Sequence, residues 1–151
     1  MPARRCPQNP ILTPAMITPS RDDLEVVGVF NPAALRVGDE VVLLLRVAEA
    51  PRDVPRGEVA APIYDAATGR LEIRRFRRDA AGVDAASDSR EFEADGQVYL
   101  TSLSHVRLAR SRDGVHFEVE RQPLLAPADP LEAFGVEDPR ATVVEIGRAH
   151  V

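Results

Sequence analysis

Apolar positions along this chain alternate with polar ones or gather in short runs closed by turn residues. That is the pattern of β-strands rather than helices. Residues 24–30 read as a strand that Asn31-Pro32 breaks, and Val37-Gly38-Asp39 reads as a turn. Residues 40–47 form a strong strand whose run of Val and Leu predicts burial on both faces. Pro51, Pro55 and Gly57 mark a loop. Residues 59–64 and 70–76 then flank a hairpin turn at 65–69, and the small, polar stretch 79–89 reads as a loop. Residues 90–93 and 97–101 straddle Asp95-Gly96, a preferred turn dipeptide. Residues 105–110 and 115–120 straddle a turn at 111–114. An irregular, Pro-rich crossing follows over 121–135, and residues 141–144 begin one more strand.

Short antiparallel strands at roughly even spacing predict an all-β sandwich, barrel or propeller. Ser111-Arg112-Asp113-Gly114 narrows the choice. An Asp in a tight turn bonds backbone amides, the Gly takes a positive φ, and Phe117 packs beneath. Such turns resemble those joining the outer strands of sugar-enzyme propellers, with a generic hairpin as the alternative.

Composition restricts the partners. The chain has 151 residues, a formal net charge of -5, 44% hydrophobic and 5% aromatic residues, and no Trp, so the core must rest mainly on Val, Leu, Ile and Ala. Every basic residue is Arg. The mild acidic balance, with no basic block, argues against nucleic acid or an anionic membrane as partner. A lone cysteine, Cys6, excludes an internal disulfide and fits a reducing, cytoplasmic setting. No stretch reads as a secretory signal or approaches the ~20 apolar residues of a membrane span. No His, Cys and carboxylate spacing suits a metal and no Gly-rich loop precedes a helix, so neither a metal nor a cofactor is expected.

Three features carry candidate chemistry. In Gly135-Val136-Glu137-Asp138-Pro139-Arg140, adjacent carboxylates on an extended segment would point to opposite faces, so one can face a cavity. Pro139 biases Asp138 toward an extended conformation, and Arg140 can hold a carboxylate bidentately. A surface turn with a local ion pair is the plainer alternative. Asn31, between a strand and Pro32, offers a donor and an acceptor to sugar hydroxyls, or is simply a turn former. Arg46, closing an apolar run, must reach solvent or meet an anion. His105 and Arg107 alternate on one strand and share a face, near a channel or in a structural role.

The pieces Asn9-Pro10-Ile11-Leu12-Thr13-Pro14, Phe30-Asn31-Pro32-Ala33, Leu43-Leu44-Leu45-Arg46-Val47, Ala109-Arg110-Ser111-Arg112-Asp113-Gly114 and Gly135-Val136-Glu137-Asp138-Pro139-Arg140 occur in this order. Together they resemble the N-terminal part of glycoside hydrolase family 130. The resemblance implies a five-bladed β-propeller, here partial, with its site at the mouth of a central channel. It also implies inverting cleavage of β-mannosides, by inorganic phosphate as co-substrate or by water. Asp138 falls on the family's catalytic acid, Asn31 on a mannosyl contact and Arg46 on a phosphate contact. Glu137, Arg140 and His105 are carried as further substrate-binding candidates. Phosphorolysis needs an acid and a cationic cradle, whereas hydrolysis needs a carboxylate base set apart to admit water.

Two departures stand out: residues 51–103 form a longer stretch than in the familiar phosphorylases, and further phosphate and sugar contacts are expected beyond Val144. Residues 1–144 are read as the front of one propeller domain. Residues 145–151 are read as a non-native tail, because a common sequencing-library adapter would encode them. The partner expected is an oligosaccharide, with a homo-oligomer left open. The rival reading is a non-catalytic sugar-binding propeller. A propeller cut inside a blade would leave an unpaired strand edge, so the 151-residue chain by itself is expected to be inactive and poorly soluble.

Overall fold

The computed structural model describes residues 5–65, 67–85 and 90–142. Strands β1 (Leu24–Val37) and β2 (Glu40–Pro51) form a long antiparallel hairpin. Next come β3 (Glu58–Asp65), β4 (Arg70–Arg77), β5 (Val83–Asp84), β6 (Glu91–Ala94), β7 (Gln97–Leu100), β8 (Leu103–Ser111) and β9 (Glu118–Val119). Strands β1, β2, β8 and β9 make one four-stranded antiparallel sheet in that order, while β3-β4 and β5-β6-β7 form two smaller sheets. The all-β expectation holds: among the described residues the only helical pieces are 3₁₀ turns at Pro14–Met16 and Pro130–Glu132. A four-stranded antiparallel meander has the shape of one propeller blade. No sheet closes on itself among the described residues.

Strand β1 does not stop at Asn31-Pro32. The pairing of Phe30 with Arg46 resumes at Ala33 with Leu44, so residues 31 and 32 form a bulge inside a continuous strand. Proline costs little there because a bulged residue owes the ladder no hydrogen bond. Residues 141 and 142 lie outside any strand. The rest of the strand expected over 141–144, the tail at 145–151 and residues 86–89 of the expected loop lie outside the described residues. The described part of that loop contains β5.

Period-two alternation in β2 sorts its side chains into two faces. Leu43, Leu45 and Val47 pack with Ile17 and Ala109 as the main core, against which Phe117 also rests. The turn beneath Phe117 is built as the sequence implies. Asp113 Oδ1 accepts from Val115 N and His116 N, each at 2.8 Å, and Gly114 has φ 75°. The His116 ring, and then those backbone hydrogen bonds, hold the Asp113 carboxyl well below the usual range. The smaller sheets share a second core around Val59, Ala61, Phe92 and Ala94. Aliphatic residues do not suffice there. Phe76, Phe92 and Tyr99 form a ring cluster with centroids 5.0–5.4 Å apart where two thin sheets must cohere.

The core face of the four-stranded sheet also carries a buried polar network. Arg107, with no exposed surface, donates to Glu49 Oε1 at 2.5 Å, to the Thr18 carbonyl at 2.6 Å and to His105 Nε2 at 2.9 Å. Ser20 N donates to Glu49 Oε1 at 2.7 Å. These bonds tie the segment before β1 to β2 and β8. Burial pushes His105 down to about 4, so it is neutral at pH 7.

The crossing segment returns to this sheet at Gly135, which bridges Ser104 in parallel, and Val136 N donates to the Ser104 carbonyl at 2.9 Å. Gly135 has φ 104°, and a Cβ there would meet Ser104 O at 2.8 Å and Ser104 N at 2.9 Å.

Three outcomes follow. Arg107→Leu strands Glu49 as a buried lone charge and should cost about 3–5 kcal/mol in a urea melt. Gly135→Ala should cost about 1–3 kcal/mol through the close backbone contact. The depressed His105 means that the unfolded state takes up its proton first as the solution is acidified. Its contribution to stability should therefore be complete above the unfolded value of 6.5 and decline as pH falls toward 4, a slope that His105→Gln should remove from stability-versus-pH curves.

Candidate active site

The opposite face of β2 and β8 borders a cleft of about 850 Å³, lined among others by Phe30, Asn31, Arg46, Ser104, Phe134 and Glu137. Arg46 organises it. The side chain leaves the apolar run of β2 on the cleft side, and its guanidinium lies 5.3 Å from the centroid of Phe30. Arg46 Nε donates to Ser104 Oγ at 3.1 Å, Nη1 donates to Asp138 Oδ1 at 3.2 Å, and Nη2 pairs with a Glu137 carboxylate oxygen. Asn31 Nδ2 donates to the same Asp138 oxygen at 2.9 Å. Positions 31, 46 and 138, distant in sequence, thus meet at one carboxylate.

Their backbones explain how. Asn31 has φ 36° and Asp138 has φ 49°. Each precedes a proline; Asn31 was read as a turn former and Asp138 as extended. Both adopt the left-handed region, which suits a turn at Asn31, corrects the expectation for Asp138, and is tolerated by Asn and Asp better than by most residues. The left-handed turn at Asp138 also corrects the expectation that Glu137 and Asp138 diverge: both carboxylates reach the same guanidinium. Arg140 does not clamp a carboxylate. Its Nη1 donates to the carbonyls of Pro139 at 3.1 Å and Asp138 at 3.5 Å, bracing the turn locally.

The Asn31 hydrogen bond is the chief cause that holds the Asp138 carboxyl below its usual range; burial opposes it, and the hydrogen bond and charge of Arg46 add to the lowering. In this arrangement Asp138 is a carboxylate. Its side chain is 46% exposed, so solvent screens the pair. A ligand that takes Arg46 away from Asp138 would restore proton affinity to it, which an acid catalyst needs.

His105 is not brought to this constellation. It points to the buried network with Glu49 and Arg107 on the other side of the sheet. Its neighbour Ser104 takes the cleft side, so strand alternation, applied one residue earlier, would have found the residue that sequence reasoning missed. Glu49 was missed as well. Its signal was an acid inside an otherwise apolar strand, opposite a strand that carries Arg107. Among the described residues no group of three or more His, Cys, Asp or Glu is placed to hold a metal ion, and no helix is long and apolar enough to cross a membrane.

Comparisons with known proteins bear on this geometry. The glycoside hydrolase family 130 profile, described as beta-1,4-mannooligosaccharide phosphorylase, matches residues 93–149. A beta-1,2-mannobiose phosphorylase from Listeria innocua is 40% identical over 144 residues, covering 93% of this chain and 40% of that protein. The solved structure of beta-1,2-mannobiose phosphorylase from Listeria innocua in complex with beta-1,2-mannobiose aligns with a TM-score of 0.81 at 40% identity, over 93% of this chain and 40% of that one. The chain therefore spans about 40% of the length of the relatives it matches. The motif order, the match of residues 93–149 and the shared fold place the chain in glycoside hydrolase family 130.

Proposed function

We propose that the cleft binds a β-mannoside and inorganic phosphate, and that a protein of the relatives' length built on this chain cleaves the sugar by phosphorolysis with Asp138 as proton donor. In this reading the four-stranded sheet is one blade of a five-bladed propeller. The observation that carries the proposal is the meeting of Asn31, Arg46 and Asp138 at one carboxylate oxygen. The beta-1,2-mannobiose phosphorylase of Listeria innocua, similar in sequence and in solved structure, supports it.

The chemistry follows from the site. Phosphate brings its own nucleophilic oxygen, so the protein must supply a cation and an acid but no base. Arg46 is the cation. A phosphate there competes with Glu137 and Asp138 for the guanidinium, and its negative charge raises the proton affinity of the freed Asp138. A phosphate oxygen then bonds to the anomeric carbon as the glycosidic bond breaks, and the leaving oxygen takes the proton that originates on Asp138. Asn31 exchanges its hydrogen bond to Asp138 for one to a sugar hydroxyl and keeps the mannosyl unit beside the acid. Glu137 and Arg140 hold the turn that presents Asp138.

In a protein of the relatives' length, Asp138→Asn should lower turnover of a β-mannoside by roughly 10²–10⁴-fold while leaving sugar binding within a few-fold. Turnover should require inorganic phosphate and release a mannosyl phosphate. Unchanged turnover by Asp138→Asn would remove Asp138 from the chemistry, and phosphate-independent release of free mannose would make the enzyme a hydrolase.

A further inference from the structure

One acidic side chain in the cleft has a carboxylate oxygen without a hydrogen-bond donor among the described residues. Glu58 opens β3 and lines the same cleft as Asn31, Arg46 and Glu137. Its Oε2 is buried and meets no hydrogen-bond donor among the described residues. Cations stand close by but are committed elsewhere. Arg77, its cross-strand neighbour, is bound to Asp79 at 2.7 Å, and Arg78 donates to the carbonyls of Glu58 at 3.0 Å and Ala85 at 2.7 Å. The backbone at Glu58 is fixed, because Glu58 N donates to the Pro55 carbonyl at 3.0 Å and the next residues, Val59, Ala60 and Ala61, are buried. A carboxylate oxygen kept out of water without a donor is a standing cost. Where it borders a cleft, the missing donor can come from what the cleft binds.

We infer that Glu58 is a sugar-recognition residue of this site, accepting a hydrogen bond from a hydroxyl of the bound saccharide once its carboxylate turns a short way into the cleft. A neutral hydroxyl suits the position, since Glu137 nearby already has a cation and Glu58 borders a cleft that binds polyols under the proposed function, on which this inference rests. It also gives the β3-β4 hairpin a purpose: the stretch between β2 and β8 supplies a wall and a hydroxyl acceptor to a site otherwise built on the four-stranded sheet.

The test is isothermal titration of a protein of the relatives' length built on this chain with beta-1,2-mannobiose, paired with thermal melts, for the wild type and the variants Glu58→Leu, Glu58→Gln and Asn31→Ala. Glu58→Leu removes an unsatisfied buried acceptor, so its melting temperature should equal or exceed that of the wild type while its Kd rises at least tenfold. Glu58→Gln keeps an acceptor oxygen and should lie between the two. A Kd unchanged by Glu58→Leu but raised by Asn31→Ala overturns the inference and leaves the proposed site standing. A lowered melting temperature in both Glu58 variants overturns it in favour of a structural role. No binding by the wild type overturns the proposed site and this inference together.

Discussion

The Arg46 guanidinium is the joint of this site. Its strand, β2, is the central ladder of the four-stranded sheet, paired on one side with β1 and on the other with β8. A cation at the end of an apolar run needs anions or water. The structure answers with two carboxylates from a segment about ninety residues later in sequence, delivered by the turn at Gly135 and Asp138. Without Arg46, the neighbouring Glu137 and Asp138 carboxylates would repel one another. With it they converge, and Asn31 completes the cluster from the bulge in β1.

Two faces of one sheet thus do different work with similar residues. On the core side an Arg, a Glu and a His are buried together and fully engaged, which fixes the chain before β1 against β2 and β8. On the cleft side an Arg, two acids and an Asn stay partly exposed and joined by bonds that a ligand can replace. Burial separates the roles: Arg107 has no exposed surface, whereas the Arg46 side chain keeps 24% of its own. A dry ion pair is costly to break and suits architecture. A wet one exchanges partners readily and suits binding.

Much of this was legible in the sequence because strand alternation is a local property. The burial of β2 on both faces, the hairpins at Asp95-Gly96 and Asp113-Gly114, and the absence of long helices among the described residues all follow from neighbouring residues. The candidate trio of Asn31, Arg46 and Asp138 was legible through motif order, not through any computable contact. What failed was the strand break expected at Asn31-Pro32 and the extended conformation expected at Asp138. The local preference for extended backbone at Asp138 is weak, and its tertiary hydrogen bonds with Asn31 and Arg46 override it. Placing His105 failed for a different reason. Sequence gives the period of a strand but not which phase faces the cleft, and a polar residue on the wrong phase looks the same until a partner such as Glu49 is located across the sheet.

The most direct test of the Arg46 joint is a carbon-13 NMR titration of the Asp138 side-chain carboxyl in the wild-type chain and in Arg46→Met. In the wild type the carboxyl should titrate below its ordinary value of 3.8. In Arg46→Met it should move up toward that value, because one hydrogen bond and one positive charge are gone while the Asn31 hydrogen bond remains. Superimposable titration curves for the two proteins would show that Arg46 does not hold this carboxylate, and the site built around it would fall.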